Sequence, residues 1–144
     1  MSGRPSIIFD LDGTLVETAD DIVAALNVSV APAGIAPLPV GLVRTMIGAG
    51  ARRLIQRAFD HAGFAAPEAA VDQALVRFLD HYRAHIADHS RPFPAIVPCL
   101  DWLQGQGALL GVCTNKLEAD SRDLLDRLGL SPYFGAVLGA TAWR

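Results

Sequence analysis

The sequence predicts an α/β fold: a Rossmann-like parallel sheet core, incomplete at about three strands, carrying an inserted α-helical cap. Three observations predict it. A short apolar run, "SIIF", leads directly into Asp10. A second run, "ALLGVCT", leads into "NK", and a third, "AVL", follows a helical stretch. Between the first two, residues 18–88 show helical spacing and no strand pattern. Strand, helix, strand, helix, strand implies parallel strands joined by right-handed crossovers. The domain boundaries follow: 1–16 and 89–144 form the partial α/β core, and 17–88 the helical insertion.

Each element has a local reason. "SIIFD" is continuous, apolar and β-branched, which predicts a strand buried on both faces. Thr18 is a candidate N-cap for a helix over 19–31, with Asp20 and Asp21 favourable in its first turn. "PAGIAPLP" ends that helix. "VGLVRTMIG" predicts a short helix stopped by "GAG". A further helix covers 51–61, with Gly63 beyond its C-terminus. Pro67 opens a longer helix to about residue 87, striped by Val71, Leu75, Phe78, Leu79 and Tyr82. After "RPFPAIVP" come a helix over 100–106, a buried strand over 108–114 and a helix over 118–128 closed by Gly129. A last strand spans 136–138.

Composition narrows the function classes. Of 144 residues, 51% are hydrophobic and 19% charged, as in a globular domain. The net charge is -3, Lys116 is the only lysine, and the arginines are scattered apart from Arg52-Arg53. No basic stripe forms, so no nucleic-acid partner is expected. Residues 22–43 carry no charge and are long enough to span a bilayer. Their prolines, glycines, Asn27 and Ser29 exclude a lipid-exposed helix, so no membrane association is expected. Asp10 and Asp12 interrupt the N-terminal apolar run, which excludes a signal peptide. Cys99 and Cys113 lack CxxC spacing and sit in apolar contexts, which predicts reduced core thiols in a cytoplasmic protein.

The chemistry concentrates at the strand ends. In parallel sheets, ligands sit outside the carboxyl ends of the strands. If the first two strands are neighbours, Asp10 and Asp12 converge with Thr114 and Asn115, beside a helix N-terminus that favours an anion. Two carboxylates at such an edge call for a cation, and Mg²⁺ suits a few oxygen ligands bridged to phosphate. Asp10 is then placed to attack phosphorus, and Asp12 to move the proton. Leu11 points into the interior. Gly13 lets the backbone turn under the phosphate, and Thr14 offers a hydroxyl and an N–H. His81, His85 and His89 fall at i, i+4, i+8 and would chelate zinc only with further ligands. No cysteine or carboxylate cluster supplies them, so a solvated or interdomain face is expected there.

"IIFDLDGTLVETADDI" resembles the first motif of the haloacid-dehalogenase-like phosphatases, and "LLGVCTNK" resembles the second. The helical block is similar to the cap inserted after the first strand in one subgroup. This resemblance implies Mg²⁺-dependent phosphomonoester hydrolysis through an aspartyl-phosphate. Asp10 would be nucleophile and metal ligand, and Asp12 acid/base and metal ligand through its carbonyl. Thr114 and Asn115 would hold phosphoryl oxygens, with Gly13 and Thr14 beneath. "GAGARR" would face the substrate's far end, with Gly48, Gly50 and Arg52 as candidate contacts. Lys116 would have a surface or substrate-side role.

"MIGAGARRLIQRAF", "FPAIV" and "LGLSPYFGAVLG" point within the family to 2-phosphoglycolate as the small phosphorylated substrate. A sugar-phosphate phosphatase or mutase is the alternative. The family pattern also has a third-motif lysine before proline and a fourth-motif acidic pair. The sequence contains no Lys-Pro, and no acidic residue follows Asp126. The chain is therefore expected to be the N-terminal portion of such a protein. A non-catalytic remnant, self-associating through an exposed strand edge, is the further alternative.

Overall fold

The computed structural model describes residues 3–141; the tail residues 142–144, part of the expected truncated ending, lie outside them. Eleven named elements follow one another: β1 (Ser6–Phe9), β2 (Val16–Glu17), α1 (Ala19–Val30), α2 (Val40–Arg44), α3 (Ala51–His61), α4 (Glu68–Ala84), β3 (Arg91–Pro92), α5 (Ile96–Gly105), β4 (Leu109–Leu117), α6 (Glu118–Arg127) and β5 (Ala136–Ala140). Two short 3₁₀ turns, Ala31–Ala33 and Ser131–Tyr133, complete the path.

The sheet is parallel, in the order β1-β4-β5. Phe9 pairs with Val112, and Cys113 with Leu138. Leu110, Val112 and Val137 are buried on the face that α6 covers. The other face is open. The register sets Ile8, Gly111 and Ala136 abreast, with Leu109, Cys113 and Leu138 on the same side. Ile8 is 64%, Leu109 49% and Leu138 62% exposed. The expectation that "SIIFD" is buried on both faces is therefore corrected: among the described residues β1 is an edge strand with one bare face. The thiols are corrected too. Cys99 and Cys113 are free but exposed, because Cys113 falls on the bare face and only Leu100 of α5 is buried.

The apolar stripe of α4 is buried as predicted, but the helix stops at Ala84. His81 and His85 stack, His85 Nδ1 lies 2.7 Å from Asp88, and His89 falls beyond the helix. Among the described residues no cluster of three or more metal-ligating side chains occurs. Helix α5 begins at Ile96 rather than near Leu100, since Pro98 sits in its first turn, where the missing N–H costs nothing. Strand β4 runs past Thr114 to Leu117, resuming its pairing beyond an irregularity after Cys113.

The two chain crossings that bound the four-helix block are stitched together. Val16 pairs with Pro92 and Glu17 with Arg91 in a two-residue antiparallel ribbon too short to register as a sequence pattern. Asp21, 2% exposed, accepts bonds from the backbone N–H groups of His89 and Ser90 and from Ser90 Oγ at 2.7–3.1 Å. Asp21→Ala leaves the buried Ser90 N–H and Oγ unpaired, and we expect it to cost about 3 kcal/mol in urea unfolding. A loss under about 0.5 kcal/mol would show that water replaces the carboxylate.

Candidate active site

The first strand delivers its two aspartates into a tight turn. Leu11 is fully buried, which anchors the turn and leaves Asp10 exposed and Asp12 partly exposed. The Leu11 carbonyl accepts from Thr14, Leu15 and Val16 N–H, and Gly13 N–H donates to Val16. Gly13 has φ 77°, a conformation that favours glycine. Leu11 N–H donates to Asp10 Oδ1 at 2.7 Å. Asp12 Oδ1 accepts from Thr18 Oγ1 at 2.8 Å and from Lys116 Nζ at 2.9 Å. Thr18 holds the expected N-cap position of α1, but it spends its hydroxyl on Asp12 and makes no side-chain cap bond.

The second strand brings Thr114, Asn115 and Lys116 alongside. Lys116 N–H donates to Thr114 Oγ1 at 3.1 Å. Asn115 Nδ2 donates to the Gly48 carbonyl at 2.8 Å, drawing the loop before α3 over the strand ends. That loop passes close: a Cβ on Gly50, whose φ is 89°, would meet the Asn115 carbonyl oxygen at 3.5 Å. Together these residues wall a cavity of about 130 Å³.

Asp10, Asp12, Thr114, Asn115, Lys116, Gly48, Gly50 and Arg52 all line this cavity. Gly13 and Thr14 do not. Thr14 is exposed, and its N–H donates to the Leu11 carbonyl. Arg52 pairs with Asp72 of α4, while Arg53 reaches only Gln56.

Lys116 is not a surface residue: its side chain is 9% exposed and its ammonium lies 4.5 Å from the centre of the Tyr82 ring. Burial alone would favour the neutral amine. The Asp12 carboxylate outweighs burial and holds the lysine above its ordinary range, so it is an ammonium.

Two polar cavity residues, Tyr82 and Asp120, escaped sequence reasoning. Tyr82 reads as one more member of the α4 core stripe, and only its hydroxyl sets it apart. Burial raises the pKa of that hydroxyl. Asp120, in the first turn of α6, is 5% exposed and accepts from Arg83 Nε at 2.8 Å. The acidic first turn after "TNK" was the available signal.

The donor set fits Mg²⁺ in kind. The Asp10 carboxylate faces the cavity, and no donor among the described residues bonds the Asp12 carbonyl. Both are hard oxygen ligands, and Mg²⁺ commonly takes one or two protein oxygens with phosphate and water completing its shell.

Comparison with known proteins places the chain in a family. The chain is 54% identical over 136 residues to the phosphoglycolate phosphatase of Caulobacter vibrioides and 47% over 133 residues to that of Agrobacterium fabrum. These matches cover 94% and 92% of this chain but 57% of each relative, so the chain spans a little over half their length. The crystal structure of a predicted phosphoglycolate phosphatase from Haemophilus somnus superposes with a TM-score of 0.88 at 30% identity, over 99% of this chain and 65% of that one. Residues 7–144 match the model of the haloacid dehalogenase-like hydrolases, and the chain belongs to that family.

Proposed function

We propose that this chain carries the phosphoryl-transfer site of a Mg²⁺-dependent phosphomonoesterase acting on 2-phosphoglycolate in the cytoplasm. The supporting observation is the convergence of Asp10, Asp12, Thr114 and Asn115 on one cavity at the carboxyl ends of parallel strands. Asp10 attacks phosphorus, the P–O ester bond breaks, and Asp12 protonates the departing oxygen. Asp12 then takes a proton from the water that cleaves the aspartyl-phosphate. Its Oδ1 is held by Thr18 and Lys116, which leaves Oδ2 for proton transfer. Mg²⁺, held by the Asp10 carboxylate and the Asp12 carbonyl, would neutralise charge between nucleophile and phosphate. Thr114 and Asn115 orient the phosphoryl oxygens.

The names of the relatives support the choice of substrate, and so does Arg52. Its partner Asp72 is 58% exposed, and an exposed ion pair is worth about 1 kcal/mol or less. Arg52 is therefore free to exchange Asp72 for the substrate's carboxylate, which a sugar phosphate lacks.

A second reading is a site that binds phosphate without turnover, and a test sensitive to one turnover separates the two: ³²P transfer from labelled 2-phosphoglycolate to the purified chain, with Mg²⁺ or with EDTA. Mg²⁺-dependent label on Asp10, in excess of that from sugar phosphates, supports the proposal. Binding without label supports the second reading.

We also propose that the chain self-associates through the β1 edge and the bare sheet face, since an open apolar edge is a template for pairing. Size-exclusion chromatography is expected to show oligomers that Ile8→Lys disperses. A wild-type monomer would refute this.

A further inference from the structure

Lys116 occupies an unusual seat. Its ammonium is gripped on one side by Asp12 Oδ1 at 2.9 Å and faces the Tyr82 ring on the other, 4.5 Å from its centre. The two supports come from different parts of the chain. Asp12 follows β1, whereas Tyr82 lies on α4, in the helical block. Two further contacts cross the same seam, Asn115 to the Gly48 carbonyl and Arg83 to Asp120, each at 2.8 Å. Helix α4 thus rests on the strand ends, with Tyr82 at the point where it meets the cavity.

The Tyr82 side chain meets Lys116 through its ring. Its hydroxyl is buried and has no hydrogen-bond partner among the described residues. An unpaired buried hydroxyl is a cost, so it does not account for the residue's place in the site. The ring face, by contrast, attracts a cation, and does so most strongly where water is excluded. Among the described residues, Asp12 is the one carboxylate paired with the buried Lys116 ammonium.

We propose that Tyr82 is a positioning residue: from helix α4 it seats the Lys116 ammonium on Asp12, so that the lysine is held at this carboxylate only while α4 sits on the strand ends. The idea rests on the reading of Asp12 as proton carrier for its functional meaning. Its test reads the position of the lysine and is independent of turnover.

The single lysine makes that position directly observable, because a chain labelled with ¹³C-lysine gives one side-chain signal. The Lys116 ε-methylene protons are expected upfield of their free-lysine position through the ring current of Tyr82. The shift should persist in Tyr82→Phe and vanish in Tyr82→Leu. In urea unfolding, a double-mutant cycle of Tyr82→Leu with Lys116→Met is expected to show a coupling of about 5- to 30-fold in the folding equilibrium. A free-lysine signal in the wild-type chain overturns the proposal, as does a shift unchanged in folded Tyr82→Leu or a coupling below about twofold. If Tyr82→Leu does not fold, the wild-type and Tyr82→Phe spectra decide alone. Absence of phosphatase activity with these signals intact would sink the proposed function and leave the seat of Lys116 standing.

Discussion

Asp10→Asn is expected to reduce phosphoryl transfer from 2-phosphoglycolate by about a thousandfold or more while leaving stability within about 0.5 kcal/mol of wild type. The two halves of this expectation have separate grounds. Asparagine cannot form the acyl-phosphate, so the covalent route closes altogether. The fold, however, asks little of this side chain. Asp10 is exposed, and its hydrogen bond is the one that Oδ1 accepts from Leu11 N–H, which an asparagine oxygen accepts equally well.

Asp12→Asn should differ on both counts. It removes the proposed proton carrier, and it also leaves the buried Lys116 ammonium without a counter-charge, which typically costs about 3 kcal/mol or more. The pair of variants therefore separates the nucleophile from a carboxylate that serves both chemistry and folding. Phosphate release and urea unfolding, measured side by side, check this. Equal phosphate release by wild type and Asp10→Asn would end the catalytic reading of this chain.

What the sequence made legible was whatever depends on neighbours along the chain. Periodicity and flanking breakers located all four helices of the insertion, and α3 runs over the predicted residues 51–61. Hydrophobic runs located the three strands of the sheet and, through their ends, the meeting of Asp10 and Asp12 with Thr114 and Asn115. What escaped depends on partners far away in sequence. The lysine that bonds Asp12 is 104 positions distant, and the donors that hold Asp21 are 68 and 69 positions distant.

Asp21 looked like a dipole-stabilising residue in a first turn because that is the only role visible locally. Tyr82 looked like core because its stripe is core. Cys113 looked buried because an apolar run does not reveal which face of a sheet lacks a cover. The use of the Thr14 N–H within the turn was hidden for a related reason: only the hydrogen-bond pattern of the closed turn reveals it.

Gly139→Ala is expected to destabilise the chain by about 3 kcal/mol and to disturb the site from below. Gly139 lies in β5, where the strand passes the junction between β4 and α6. A Cβ there would lie 2.6 Å from both Cα and N of Glu118 and 2.7 Å from the Lys116 carbonyl oxygen. All three atoms are backbone, so no side-chain rotation relieves the overlap. Either β5 retreats from the sheet or the Lys116–Glu118 segment moves, and that segment sets the direction of the Lys116 side chain.

Gly111 provides the control. Its added Cβ would approach Ile8 Cδ1 at 2.9 Å, but that atom ends a flexible side chain that is 64% exposed. Gly111→Ala should therefore cost about 1 kcal/mol or less. Urea unfolding of the two variants checks the contrast, and the ring-current shift of Lys116 should collapse only in Gly139→Ala. Equal losses in both variants would mean that backbone crowding beneath the cavity does not fix the lysine, leaving its position to Asp12 and Tyr82 alone.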